Sequence, residues 1–105
     1  MSEYSAIFTV PGGAPQVRSL ALRAAEDVGY RVRGHGPHEL KGRRQRHVLP
    51  FAGAGFELEI RLRPARIRTT LVIRGWTGGN PQHAAELRRD IDAIRERIIH
   101  SAVPD

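Results

Sequence analysis

The chain has no cysteine. That excludes a disulfide framework and any thiolate metal site, and it fits a reducing compartment. No stretch approaches the roughly 18 consecutive apolar residues of a membrane span. The opening MSEYSAIFTVPGG lacks the basic n-region and the apolar length of a secretory signal, so a cytoplasmic location is the expectation. Acidic residues are scarce. Eleven Asp and Glu stand against 17 Lys and Arg, a formal charge of +6, with an isoelectric point of about 11.2. Lysine is nearly missing too, Lys41 being alone beside 16 arginines. The chain is rich in Ala, Gly and Pro, a bias that GC-rich codons produce, so the choice of Arg over Lys says little about guanidinium chemistry. The net positive excess says more, because Asp and Glu would otherwise balance it. Such an excess favours polyanionic partners.

At 105 residues the chain reads as one domain over 1–105, with no linker, internal repeat or low-complexity tail. Tyr4 to Val10 alternates as a strand, with Tyr4, Ala6, Phe8 and Val10 on one face. Pro11-Gly-Gly-Ala-Pro15 is a turn, and Pro15 suits a first helical position. A helix then runs to about Val28 on the stripe Val17, Leu20, Ala21, Ala24 and Val28, with Gly29 as its stop. Tyr30–Arg33 is a short strand and Gly34–Pro37 a turn. His38–Leu49 is a longer strand with poor alternation, and Pro50–Gly55 reads as a loop. Phe56–Arg63 and Arg66–Trp76 are clear strands joined at Pro64-Ala65. Asn80 and Pro81 open a last helix as N-cap and first turn, with Ala84, Leu87, Ile91, Ile94 and Ile98 as its buried stripe. The order β-α-β-β-β-β-α makes an α+β, two-layer protein: an antiparallel sheet with both helices on one face.

The stretch FELEIRLRPARIRTTLVIRGW, residues 56–76, carries the strongest pattern. Apolar residues must face apolar ones, and a two-residue turn at Pro64-Ala65 pairs Leu62 with Ile67, Ile60 with Thr69, Leu58 with Leu71 and Phe56 with Ile73. The other face then pairs Arg63 with Arg66 and Arg61 with Arg68, and continues to Arg74 and Trp76. Like charges directly opposed are destabilising by some tenths of a kcal/mol. Arg31 and Arg33 join that face if Tyr30 and Val32 point inward. The strand KGRRQRH has two registers, one burying Arg44 and Arg46, the other Arg43 and His47, and a bulge or an edge position would resolve the conflict.

This basic face is the first candidate site: Arg31, Arg33, Arg43, Arg61, Arg63, Arg66, Arg68 and Arg74, with Trp76 as a base-stacking anchor. Nucleic acid is the expected partner. The alternative is a protein-interaction or homo-oligomerisation module that buries the same face.

The element order resembles that of TATA-binding-protein-like domains and of short helix-grip (START-like) domains. The first resemblance implies a sheet face that grips DNA. The second implies a sheet curled around the last helix, where Phe8, Phe51, Phe56, Leu87 and Ile91 would line a cavity for a small apolar ligand. With so few large side chains a closed core is the expectation.

Catalytic patterns are absent. His35 and His38 form H-x-x-H in a turn, with only Glu39 and His47 near in sequence, short of a metal site. Glu57 and Glu59 are ringed by arginine, which lowers a carboxyl pKa where a general acid needs it raised. Ser5, Ser19 and Ser101 belong to no triad motif, and PGGAP lacks the spacing of a phosphate loop. The expectation is a non-enzymatic module with no cofactor and no metal.

Overall fold

The computed structural model describes residues 2–48, 51–78 and 81–102, with 45–48 and 51–54 as backbone only. Its elements are β1 (Ser2–Pro11), α1 (Ala14–Val28), β2 (Arg31–Gly34), β3 (Glu39–Val48), β4 (Phe51–Pro64), β5 (Arg68–Thr77) and α2 (Pro81–Ser101). The five strands form an antiparallel sheet in the order β1-β5-β4-β3-β2. Both helices cover one face. Val17, Ala21, Ala24 and Ala25 of α1 and Leu87, Ile91, Ile94 and Ile98 of α2 join the inward sheet residues in one buried cluster. The expected α+β class, element order along the chain and helix placement are all present.

α1 ends where its sequence says it should. Gly29 adopts φ 114°, a left-handed conformation without the Cβ penalty other residues incur. Its N–H reaches Glu26 O, and the Tyr30 N–H reaches Ala25 O, both at 3.0 Å. That is the paired Schellman closure, and it drops Tyr30 into the core at the mouth of β2. The expected N-cap of α2, Asn80, lies outside the described residues.

Two expectations about the hairpins are corrected. Residues 51–55, expected as loop, belong to β4, where Phe51 pairs with Val48 and Ala52 with His47. Gly and Ala have weak strand preference, but pairing along β3 overrides it. The β4–β5 register also differs. Leu62 pairs with Leu71, not Ile67; Ile60 with Ile73; Leu58 with Gly75; Phe56 with Thr77. The strands are therefore shifted by four residues and joined by a longer turn, closed by Ala65 N–H to Arg68 O at 2.8 Å. An even shift keeps the side chains that remain paired on their expected faces. It places Ile67 in the turn, 75% exposed, and dissolves both opposed arginine pairs: Arg61 faces Val72 and Arg63 faces Thr70.

The register left open in β3 is settled by its partners. Leu40, Gly42 and Arg44 pair with the inward Ile60, Leu58 and Phe56. A register shift between Gln45 and His47 then breaks the alternation, as a bulge does.

Candidate ligand site

On the outer sheet face, cross-strand rows can be read residue by residue. One row runs Arg31, Arg43, Glu57, Trp76, Glu3, and the next Arg33, Lys41, Glu59, Arg74, Ser5. The expected arginine surface is broken by acids. Arg43 Nη2 bonds Glu57 Oε1 at 3.0 Å, and Arg61 Nε lies 2.6 Å from Glu59 Oε1. Arg74 grips Glu3 Oε1 through Nε and Nη2 at 3.1 and 2.8 Å while lying 5.1 Å from the Trp76 ring centroid. Arg63, Arg66 and Arg68 are exposed at the far β4–β5 turn, and Arg31 and Arg33 on the edge strand β2. The nine residues therefore do not form one cationic track. Exposed pairs of this kind add little stability, about 0–1 kcal/mol each, and they place acids between the cations of this face.

The inner face holds what the sequence reading missed. Because β3 turns Arg44 inward, its Nη1 reaches both carboxylate oxygens of Asp90 on α2, each at 2.9 Å. The Tyr30 hydroxyl donates to the same carboxylate at 2.8 Å. Asp90 is 7% exposed and Tyr30 3%, so this is a polar knot within the core. Burial, and next the hydrogen bond to Asp90, push the Tyr30 hydroxyl well above its ordinary pKa of 10.0. It stays a neutral donor at physiological pH. The sign of the linkage follows. Above about pH 10 the unfolded chain releases this proton while the folded chain keeps it, so stability falls as pH rises. Tyr30→Phe is expected to remove that component, read by comparing urea unfolding of the two proteins between about pH 9 and pH 11.

The knot has one open side. The Arg44 side chain is 31% exposed. Among the described residues, Asp90 takes only Nη1, and no acceptor is bonded to Nε or Nη2. Phe56, opposite Arg44 on β4, presents its ring to His83 of α2, edge-on at 6.2 Å between centroids. The arrangement is a part-exposed guanidinium fixed by a buried carboxylate, with Nε and Nη2 taken by no described acceptor. It suits binding an oxygen on an otherwise apolar molecule, or stabilising charge that develops on that oxygen. Asp90 was legible in principle: it lies three residues after Leu87 and four before Ile94, inside the apolar stripe of α2.

The cavity that the helix-grip resemblance implies between sheet and last helix is closed at its centre among the described residues. Phe8, Phe56, Leu87 and Ile91 are all core residues, and the side chain of Phe51 lies outside the described residues. A Cβ added at Gly75 would lie 2.8 Å from Leu87 Cδ1 and from Ile91 Cδ1, so α2 rests directly on β5 there. Among the described residues no cluster of three or more His, Cys, Asp or Glu is placed to hold a metal ion. No described helix is long and apolar enough to cross a membrane.

No family model and no curated protein matches the sequence. Solved structures match it in fold. A START superfamily protein from Mycobacterium smegmatis aligns with a TM-score of 0.56 at 9% identity, over 95% of this chain and 96% of its own. Zhui aromatase/cyclase from Streptomyces sp. R1128 aligns with a TM-score of 0.52 at 15% identity, over 96% and 93%. DynU16, from the dynemicin biosynthetic locus, gives 0.58 at 14% identity over 95% of this chain and 46% of its own, so the chain spans about half of it. Identities this low show a shared fold alone. Two expectations are corrected by them. These structures carry the helix-grip side of the resemblance and give the TATA-binding-protein side no support. The expectation of a non-enzyme rested on missing motifs, and it falls because the same fold is that of an aromatase/cyclase. The chain has the helix-grip architecture of START-like domains, with the Asp90 knot between its last helix and its sheet.

Proposed function

We propose that the protein handles a small, largely apolar molecule that carries a carbonyl or hydroxyl oxygen, held beside Arg44 at the end of the sheet nearest the β3–β4 hairpin. One observation carries this reading: a buried carboxylate fixes the part-exposed Arg44 through Nη1, and among the described residues no acceptor takes its other donors. A guanidinium whose orientation is set in advance loses little entropy when it binds an oxygen. The helix-grip fold, shared with an aromatase/cyclase, supports a ring-containing ligand.

Equilibrium dialysis against acetylnaphthalene, with naphthalene as the oxygen-free control, tests the reading. Arg44→Met alone would strand Asp90, so the informative variant is Arg44→Met/Asp90→Leu, which removes both charges and, by leaving the Tyr30 hydroxyl without its acceptor, is expected to cost about 1–2 kcal/mol while keeping the fold. Acetylnaphthalene is expected to bind the parent at least tenfold more tightly than naphthalene does, and the double variant is expected to lose that preference. Equal binding of the two compounds by the parent, or a preference kept by the double variant, would contradict the assignment.

A further inference from the structure

The outer face of the sheet holds a hollow of about 900 Å³ between β2 and β5, within the size range of small-molecule sites. Arg31, Arg33, Lys41 and Arg43 line one side and Trp76 the other, with Glu57 and Glu59 between them. The strand register sets these cations directly against one another: Arg31 opposite Arg43, and Arg33 opposite Lys41. Two successive like-charge pairs across one ladder destabilise it. Acids relieve them unevenly. Glu57 meets Arg43, Glu39 approaches Lys41 only to 4.0 Å, and Glu59 is held by Arg61. Among the described residues Arg31 and Arg33 have no ion pair, and both are exposed on an edge strand.

We infer that this hollow is a second site, separate from the Arg44 knot, and that it takes a small organic phosphate bearing a flat ring, of the size of a nucleoside monophosphate. A phosphate between Arg31 and Arg33 accepts from both guanidinium groups and removes the repulsion across β2 and β3. Trp76 stands three strands away, roughly 14 Å from backbone to backbone at the usual interstrand spacing, a span that the arginine side chains lining the hollow shorten, and the ring face away from Arg74 offers a stacking surface. The carboxylates between accept hydrogen bonds from hydroxyl groups on the linking part of the ligand, which explains acids inside an otherwise cationic hollow. The ligand is a small molecule and not a strand of nucleic acid. Beyond the hollow the face is neutralised by the Arg61–Glu59 and Arg74–Glu3 pairs before Arg63, Arg66 and Arg68 are reached. A polymer needs a continuous basic groove.

Trp76 is the only tryptophan, so its fluorescence reports on the hollow. Adenosine monophosphate is expected to change that emission saturably, and adenosine to bind at least tenfold more weakly. Arg31→Gln/Arg33→Gln, at two exposed positions, is expected to keep the melting temperature and lose at least tenfold in affinity for the monophosphate. Arg44→Met/Asp90→Leu is expected to bind the monophosphate as the parent does, which separates this site from the inner one. The inference is overturned by no saturable change with adenosine monophosphate, by equal binding of adenosine, or by unchanged binding in the Arg31/Arg33 variant. Affinity that climbs with length in a series of oligothymidylates would also overturn it, by making the face a polymer surface.

Discussion

Asp90→Ala is expected to destabilise the protein by about 3 kcal/mol, read as a lower urea midpoint. Removing one partner of a buried ion pair typically costs about 3–5 kcal/mol because the remaining charge stays buried without compensation. Arg44 is about a third exposed, which places the loss at the low end of that range. The same change leaves the Tyr30 hydroxyl without its acceptor, at a buried position. Tyr30→Phe removes one hydrogen bond and is expected to cost about 1 kcal/mol. Arg44→Met/Asp90→Leu removes both charges together and strands only the Tyr30 hydroxyl, so it is expected to cost about 1–2 kcal/mol, less than Asp90→Ala alone.

Ile91→Ala is expected to cost about 3 kcal/mol, within the range of about 2–5 for a large aliphatic residue cut to alanine in a closed core. Ile91 is fully buried, and its Cδ1 occupies the space where a Cβ on Gly75 would point. Gly75→Ala alone is expected to overpack that contact and cost about 1–2 kcal/mol. In the Ile91→Ala background the added methyl no longer meets Ile91 but still meets Leu87 Cδ1 at 2.8 Å, so Gly75→Ala is expected to cost less there than alone. The signature is a coupling of about 0.5–1 kcal/mol between the two positions. Strict additivity would mean that α2 does not rest on β5 as described.

The helices and strands were legible because their signals are local. The α1 stripe with Gly29 behind it, the α2 stripe after Pro81, and the alternation in residues 56–76 each specify an element within its own stretch. Register was not fully legible. Alternation has a period of two, so it fixes which face a residue takes but cannot separate Leu62–Ile67 pairing from Leu62–Leu71. Turn length decides between them, and a four-residue turn around Arg66 and Ile67 replaced the expected two-residue one. The first turn of β4 was hidden for a different reason. Ala52, Gly53, Ala54 and Gly55 carry little strand preference, and only pairing with β3 makes them a strand.

The site followed the same logic. Counting arginines located a charged face, but ion pairs such as Arg74–Glu3 join residues 71 positions apart. No local pattern shows them. The inner knot was half visible: Arg44 was one of two inward options for β3, and Asp90 interrupts an apolar helix stripe. A charge placed on each of two buried faces calls for the other. Taking those two residues together would have led from the sequence to the helix side of the sheet.

The most direct test of the central claim is a titration with acetylnaphthalene followed by amide chemical shifts of the labelled protein. The changes are expected to concentrate at Tyr30, Arg44, Phe56 and the stretch of α2 from His83 to Asp90. Changes confined to the outer rows around Arg31 and Trp76, or no changes at all, would contradict it.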